Sequence, residues 1–184
     1  MRIIRENRDL AVHWVVLSAE GERAAEARAS ADRYLSSVAR KEVRLDEFRN
    51  SFFPYTGSEI KDCFESLKES VDPDLILTHY RGDLHQDHRL CSELTWNTFR
   101  RHSILEYEIP KFDGDLGAPN AFVTLSEIDL AEKVNRLHSY FPSQRDKPWF
   151  DESVFRSLCR LRGMECNSPT GLAEAFYFRK LVLV

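Results

Sequence analysis

The sequence predicts an α/β protein whose mostly parallel sheet carries helices on both faces, and three observations carry that expectation. Short apolar runs suited to strands alternate with longer stretches of helical period. The first run, Leu10 to Ser18, is almost wholly apolar, as in a strand buried on both faces. Three of the 6 histidines and two aspartates crowd between His79 and Arg89, directly after the strand-like Leu75 to Thr78. Open parallel sheets gather ligands beyond such strand ends.

In chain order, Met1 to Asn7 has apolar residues at helical spacing but no capping residue before them. It reads as the last turns of a helix whose start is missing. His13, inside the first strand, reads as a packed, hydrogen-bonded histidine rather than a ligand. A helix from about Glu22 to Val38 follows, with Ala24, Ala27, Ala31, Leu35 and Val38 as a narrow apolar stripe. Arg23 and Glu26 sit on its first turn, either facing a substrate or forming an ordinary intrahelical ion pair. Glu42 to Leu45 is a short strand, and Phe52-Phe53-Pro54-Tyr55 is an aromatic loop suited to a pocket wall or to packing. Gly57 to Ser70 is a helix with Ser58 as its N-cap.

The strand Leu75 to Thr78 leads through the histidine cluster into a helix from about His85 to Arg101. Ile104 to Ile109 is a strand stopped by Pro110, and Lys111 to Asn120 is a Gly- and Pro-bearing loop. A short extended piece, Ala121 to Val123, precedes a helix from Glu127 to His138 capped by Ser126. A further helix, Glu152 to Arg162, and a closing strand, Ala173 to Val184, complete the chain.

A length of 184 residues suits a single core. The 42% apolar and 30% charged content is that of a soluble globular protein. A net charge of −4 without a basic block speaks against nucleic acid or an anionic membrane as partner. The 4 cysteines have no metal-type spacing and are too sparse for a disulfide framework, which fits a reducing, cytoplasmic setting. There is no signal peptide and no apolar run of membrane-spanning length.

The chemistry concentrates in Thr78-His79-Tyr80-Arg81-Gly82-Asp83-Leu84-His85-Gln86-Asp87-His88-Arg89. His85 and His88 are three residues apart, so a helix starting here puts both imidazoles on one side of its first turn. Imidazole is the commonest transition-metal ligand, and Asp87 is placed to orient a ring or to bind metal itself. The plain alternative is a polar loop whose histidines cap a helix or bond a sheet edge. A hydrolytic zinc site needs three protein ligands and an open position. His85, Asp87 and His88 are too close in sequence to enclose an ion alone.

Two motif resemblances follow. His85-x-Asp87-His88 matches the latter half of the H-x-H-x-D-H signature of the metallo-β-lactamase fold, with Asp83 where the first histidine belongs. That family is β-rich in its early part, and this chain is not. The chain more closely resembles the LmbE-like (PIG-L) family of zinc-dependent N-acetylglucosaminyl deacetylases. The resemblance rests on Val12 to Leu17, Arg23-x-x-Glu26, Asp72 to His79, Leu84 to Arg89, Leu105 to Pro110 and Ala173 to Phe176. It implies a Rossmann-like three-layer sandwich and a GlcNAc-type N-acetylated amino sugar as substrate. By the same resemblance His88 is a zinc ligand and His85 polarises or protonates the amide. Asp87 holds a histidine in its tautomer, and Arg23 contacts the sugar.

The family's first motif, His-Pro-Asp-Asp-Glu, supplies two metal ligands and the general base, and it occurs nowhere in the 184 residues. The resemblance therefore implies a single LmbE-like domain over 1–184, N-terminally truncated, with its first strand missing. It implies weak zinc binding and no turnover in this form. A non-catalytic binding or assembly module is the alternative. Val12 to Leu17 and Leu75 to Thr78 would flank the missing strand and be left with open edges, so the chain is expected to be poorly soluble, homo-oligomeric through those edges or only partly ordered.

Overall fold

The structure, a computed structural model, describes residues 2–7 and 9–181. Among them the order is α1 (Arg2–Glu6), β1 (Ala11–Val16), α2 (Glu22–Tyr34), β2 (Arg40–Leu45), α3 (Gly57–Ser70), β3 (Leu75–His79), α4 (Gln86–Thr98), β4 (Ser103–Tyr107), β5 (Ala121–Thr124), α5 (Glu127–Tyr140), α6 (Glu152–Glu165) and β6 (Ala173–Lys180). Short 3-10 turns lie at Phe53–Tyr55 and Pro142–Gln144. The expected extension of β6 to Val184 runs outside the described residues. No helix among the described residues is long and apolar enough to cross a membrane.

The strands form two sheets. β1 and β2 pair in parallel, and the second sheet runs β3-β4-β6-β5. β3 pairs β4 in parallel, whereas β6 is antiparallel to both β4 and β5. The mostly parallel expectation thus holds for β1–β2 and β3–β4, and the β4-β6-β5 end departs from it. Among the described residues no ladder joins β1 to β3, the two strands expected to flank a missing one. What holds their sheets together is a shared core from α3 and α4: Ile60, Cys63, Phe64, Cys91, Leu94 and Phe99. Val15 of β1 and Ile76 of β3 both pack against it. Burying each large side chain of this set stabilises by about 1.5–3 kcal/mol. A second cluster, built on Leu130, Val134, Phe155 and Cys159, joins α5 to α6.

Local chemistry sets the helix starts. Ser126 and Asp129 close a reciprocal capping box at α5. Asp151 accepts from Ser153 N–H at α6. Thr56, rather than the expected Ser58, is the N-cap residue of α3. Ser58 already lies inside the first turn, and its hydroxyl donates to Glu59. The first strand is less buried than its apolar run implied. Paired on one edge only, β1 leaves Ala11 and His13 exposed, and His13 Nδ1 lies 3.2 Å from Glu42. On β3 the side chain of Leu77 is 54% exposed.

Candidate active site

The site is built by the turn that carries the chain from β3 into α4. Tyr80 N–H donates to Tyr107 O and extends the parallel ladder by one bond, and Asp83 N–H donates back to Tyr80 O at 3.0 Å to close the turn. His85 then takes an extended backbone (φ −69°, ψ 122°) as the N-cap of α4, and its ring Nδ1 accepts from Asp87 N–H at 3.3 Å. His88 follows on the first turn, so its ring returns beside that of His85, with centroids 4.5 Å apart. On the far side of His88 lies His79, the last residue of β3, stacked at 4.2 Å. Three imidazoles thus cluster at the carboxyl end of a parallel strand, His79 stacked on His88 and His85 tilted against it.

Hydrogen bonds select the tautomers. An Nδ1 that accepts a bond carries no proton, so neutral His85 presents Nε2–H outward as a donor. His88 is the reverse. Its Nδ1 lies 2.9 Å from Asp83 Oδ2, so Nδ1 holds a proton, and in the neutral ring Nε2 keeps a free lone pair. His79 Nε2 lies 3.4 Å from the Tyr107 hydroxyl, within hydrogen-bond reach. Burial, reinforced by the neighbouring His88, holds the His79 imidazole neutral, its pKa pushed down to about 3. Burial likewise pushes the Tyr107 phenol well above its ordinary value.

Asp83 anchors this arrangement. It is 2% exposed. Besides His88 it accepts from His85 N–H at 2.8 Å and pairs with Lys111 Nζ at 3.1 Å. Burial pushes its carboxyl up, but the bonds from His88, His85 and Lys111 outweigh that and bring it down to about 2. Lys111 also pairs with Asp115, and Asp115 accepts from Leu84 N–H at 2.7 Å. The loop after β4 is thereby tied to the histidine turn at two points.

Of the residues singled out in the sequence, the structure brings His85 and His88 together. Asp87 lies on the same turn but holds no histidine side chain. Its carboxylate accepts from Ser51 N–H at 2.5 Å and Phe53 N–H at 3.1 Å. These bonds fix Ser51 in the left-handed region at φ 66°, an uncommon conformation for a residue with a Cβ. The task of holding a histidine in its tautomer falls to Asp83 instead. Phe53 is buried in the core, while Phe52 and Tyr55 are exposed. Arg23 is exposed on the first turn of α2, and its side chain makes no hydrogen bond or ion pair among the described residues. Glu26, expected either to face substrate or to pair with Arg23, is buried and accepts from Ser143 N–H and Oγ–H at 2.8 and 2.7 Å. Sequence reasoning missed Lys111, Asp115 and Tyr107, which lie about 20 to 30 residues away from the motif with no local signal.

Among the described residues no three His, Cys, Asp or Glu side chains converge as a metal site. Asp83 and Asp87 have their oxygens committed elsewhere. These residues therefore do not fit a three-ligand zinc site, and His88 Nε2 is one available donor.

A family model described as PIG-L, GlcNAc-PI de-N-acetylase, matches residues 6–99, just over half of the chain and the part that contains the whole histidine turn. No curated protein sequence matches significantly. Solved structures agree in fold. A conserved protein from Thermus thermophilus superposes with a TM-score of 0.73 at 17% identity, over 100% of this chain and 86% of that one. The N,N'-diacetylchitobiose deacetylase from Pyrococcus horikoshii gives 0.64 at 17% identity, over 95% and 75%. The 4-carboxy-2-hydroxymuconate hydratase GalB from Pseudomonas putida gives 0.60 at 13% identity, over 95% and 86%. Two different reactions among these neighbours show that the fold alone does not choose the chemistry.

Proposed function

The chain belongs to the PIG-L, or LmbE-like, family, and from that premise we propose that its histidine turn is a binding site for a GlcNAc-type N-acetylated amino sugar. The observation that carries this reading is the complementary pair at the end of β3. His85 offers Nε2–H, a donor suited to the carbonyl oxygen of an acetamide, and His88 offers Nε2, an acceptor or metal donor, beside it. Amide hydrolysis places negative charge on that carbonyl oxygen, and a donor aimed there binds the charged form more tightly than the neutral one. Arg23, an exposed guanidinium on the first turn of α2, is proposed as a sugar contact. Asp87 supports the site by fixing the 51–53 segment.

The reaction proposed for the lineage is removal of the N-acetyl group, releasing acetate and a free amine. Zinc would supply the activated water in that reaction, and this chain offers His88 toward it. Asp83 and Asp87 are both tied to other partners, so neither is a free base for water. The proposal for the 184-residue chain is therefore sugar recognition with acetate release slow or absent. That places it near the second reading, a non-catalytic relative that binds without turnover, which the donor set favours.

Calorimetric titration with N-acetylglucosamine and with glucosamine separates these readings from no function at this turn. Binding of the N-acetylated sugar alone, lost in His85→Ala, is the expected result. Equal affinity for both sugars, or none for either, would overturn it. Zinc-dependent acetate release at a rate lost in His88→Ala would replace the non-catalytic reading with a catalytic one.

A further inference from the structure

The segment from Glu108 to Gly117 is fixed at its ends against α6. The buried Arg162 donates to both oxygens of Glu108, at 2.9 and 2.6 Å, and to Gly117 O at 3.1 Å. Between these anchors the segment leaves an apolar groove of about 350 Å³. Pro110 and Leu116 form one wall, and Val154, Leu158 and Leu161 the other. Phe112 stands in the turn between the two wall residues with 76% of its surface in water. Gly114, in the left-handed region at φ 62°, follows that turn. Met164, three residues beyond Leu161 on α6, is 67% exposed. Single exposed apolar side chains are ordinary, whereas several gathered around one groove mark an interaction surface.

We propose that this groove is the contact surface of a two-fold symmetric dimer, in which Phe112 of each copy enters the groove of the other. The patch is complementary to itself, since one segment carries both a projecting ring and a wall of the cleft that would receive it. A two-fold axis closes such a surface, because every contact is made twice. A small apolar ligand or a partner's helix would fill the cleft but leave Phe112 in water. Charge points the same way. Asp113, next to Phe112, and Arg160, on α6 beside Leu161, are both exposed and have no ion-pair partner among the described residues. Arg160 instead donates to Gly171 O at 3.3 Å. Neighbouring charges on α6 are already matched, Arg156 with Glu152 and Glu165 with Arg162. Seating Phe112 in the other copy's groove brings Asp113 to the rim that Arg160 occupies, and the symmetry gives two such pairs. The anchored segment also holds its shape before association, which lowers the ordering cost. This surface is separate from the open edge of β3, because α6 packs on β6, two strands away in the sheet.

Sedimentation velocity of the full 184-residue chain over a concentration series tests this directly, with a monomer–dimer equilibrium as the expected result. Phe112 is buried twice per dimer, so Phe112→Ser should weaken association at least about a hundredfold. The position is exposed in the monomer, and the variant should keep the wild-type melting transition at low concentration. Asp113→Arg and Arg160→Glu should each weaken the dimer, and the double variant, which exchanges the charges, should recover most of the loss. That recovery is a readout that damage to the fold would not produce. Leu77→Lys, on the open edge strand β3, should leave the dimer intact. A chain that is monomeric at every concentration would overturn the proposal, as would a dimer untouched by Phe112→Ser. So would a charge exchange that restores nothing. Association lost in Leu77→Lys but kept in Phe112→Ser would place the contact at the strand edge and overturn it as well.

Discussion

Asp83 Oδ2 lies 2.9 Å from His88 Nδ1, and the same carboxylate accepts from the backbone of His85. One buried side chain therefore sets both the tautomer of one histidine and the start of the helix that carries the other. Replacing it with alanine leaves Lys111 with a single carboxylate and His85 N–H unbonded. Breaking a buried ion pair costs about 3–5 kcal/mol, and the remaining Asp115 partner brings the expectation to the low end. Chemical denaturation should place Asp83→Ala about 3 kcal/mol below wild type, with Asp83→Asn between them. A loss under about 1 kcal/mol would show that these bonds contribute little to the fold.

His79 gives the stability a defined pH dependence. Its pKa falls from an ordinary 6.5 to about 3 in the folded chain, so the unfolded chain takes up a proton that the native state refuses. The contribution is complete above about pH 6.5 and is lost as the pH falls toward 3. The slope is at most about 1.4 kcal/mol per pH unit. Asp83, lowered to about 2 from 3.8, acts in the same direction in the lower window between those values. Melting curves at about pH 7, 5.5 and 4.5, values spanning the His79 window, should show a shallower decline in His79→Phe. An unchanged slope would refute this assignment.

Gly163 sits in the last turns of α6 where a Cβ would meet Gly171 O at 2.2 Å and Leu172 N at 2.4 Å. Backbone atoms cannot yield as a side chain does. Alanine is the better helix former by about 1 kcal/mol. Nevertheless Gly163→Ala should destabilise by about 1–3 kcal/mol through forced separation of α6 from the 171–172 segment. A variant as stable as wild type in urea would contradict the close approach.

Zinc provides a check on the donor set. After incubation with zinc and exhaustive dialysis, elemental analysis of the 184-residue chain should find far less than one ion per chain. One tightly held zinc per chain, lost in His88→Ala, would mean that other residues complete the site.

Much of the fold was legible because the signals were local. Alternating strand and helix periods located the elements, and Ser126 marked the start of α5. Helix α2 ended early, at Tyr34, because an apolar stripe does not distinguish a last helical turn from a packed turn. Leu35 and Val38 are buried either way. The antiparallel placement of β6 was not legible, since alternation of side chains is identical for both strand directions. At the site, His85 and His88 announced themselves by spacing. The partners of Asp87 were not legible, because the backbone N–H groups of Ser51 and Phe53 leave no mark in the sequence. The Asp83–Lys111 pair spans a separation no short pattern reaches.

The central claim is that His85 and His88 form a complementary pair that receives an N-acetylated amino sugar. Long-range proton–nitrogen correlation spectra of the histidine rings test it most directly. In the free protein at neutral pH, His88 should be protonated at Nδ1 and His85 at Nε2. N-acetylglucosamine should shift both rings, and glucosamine neither. The opposite tautomers, or rings indifferent to the N-acetylated sugar, would contradict the account.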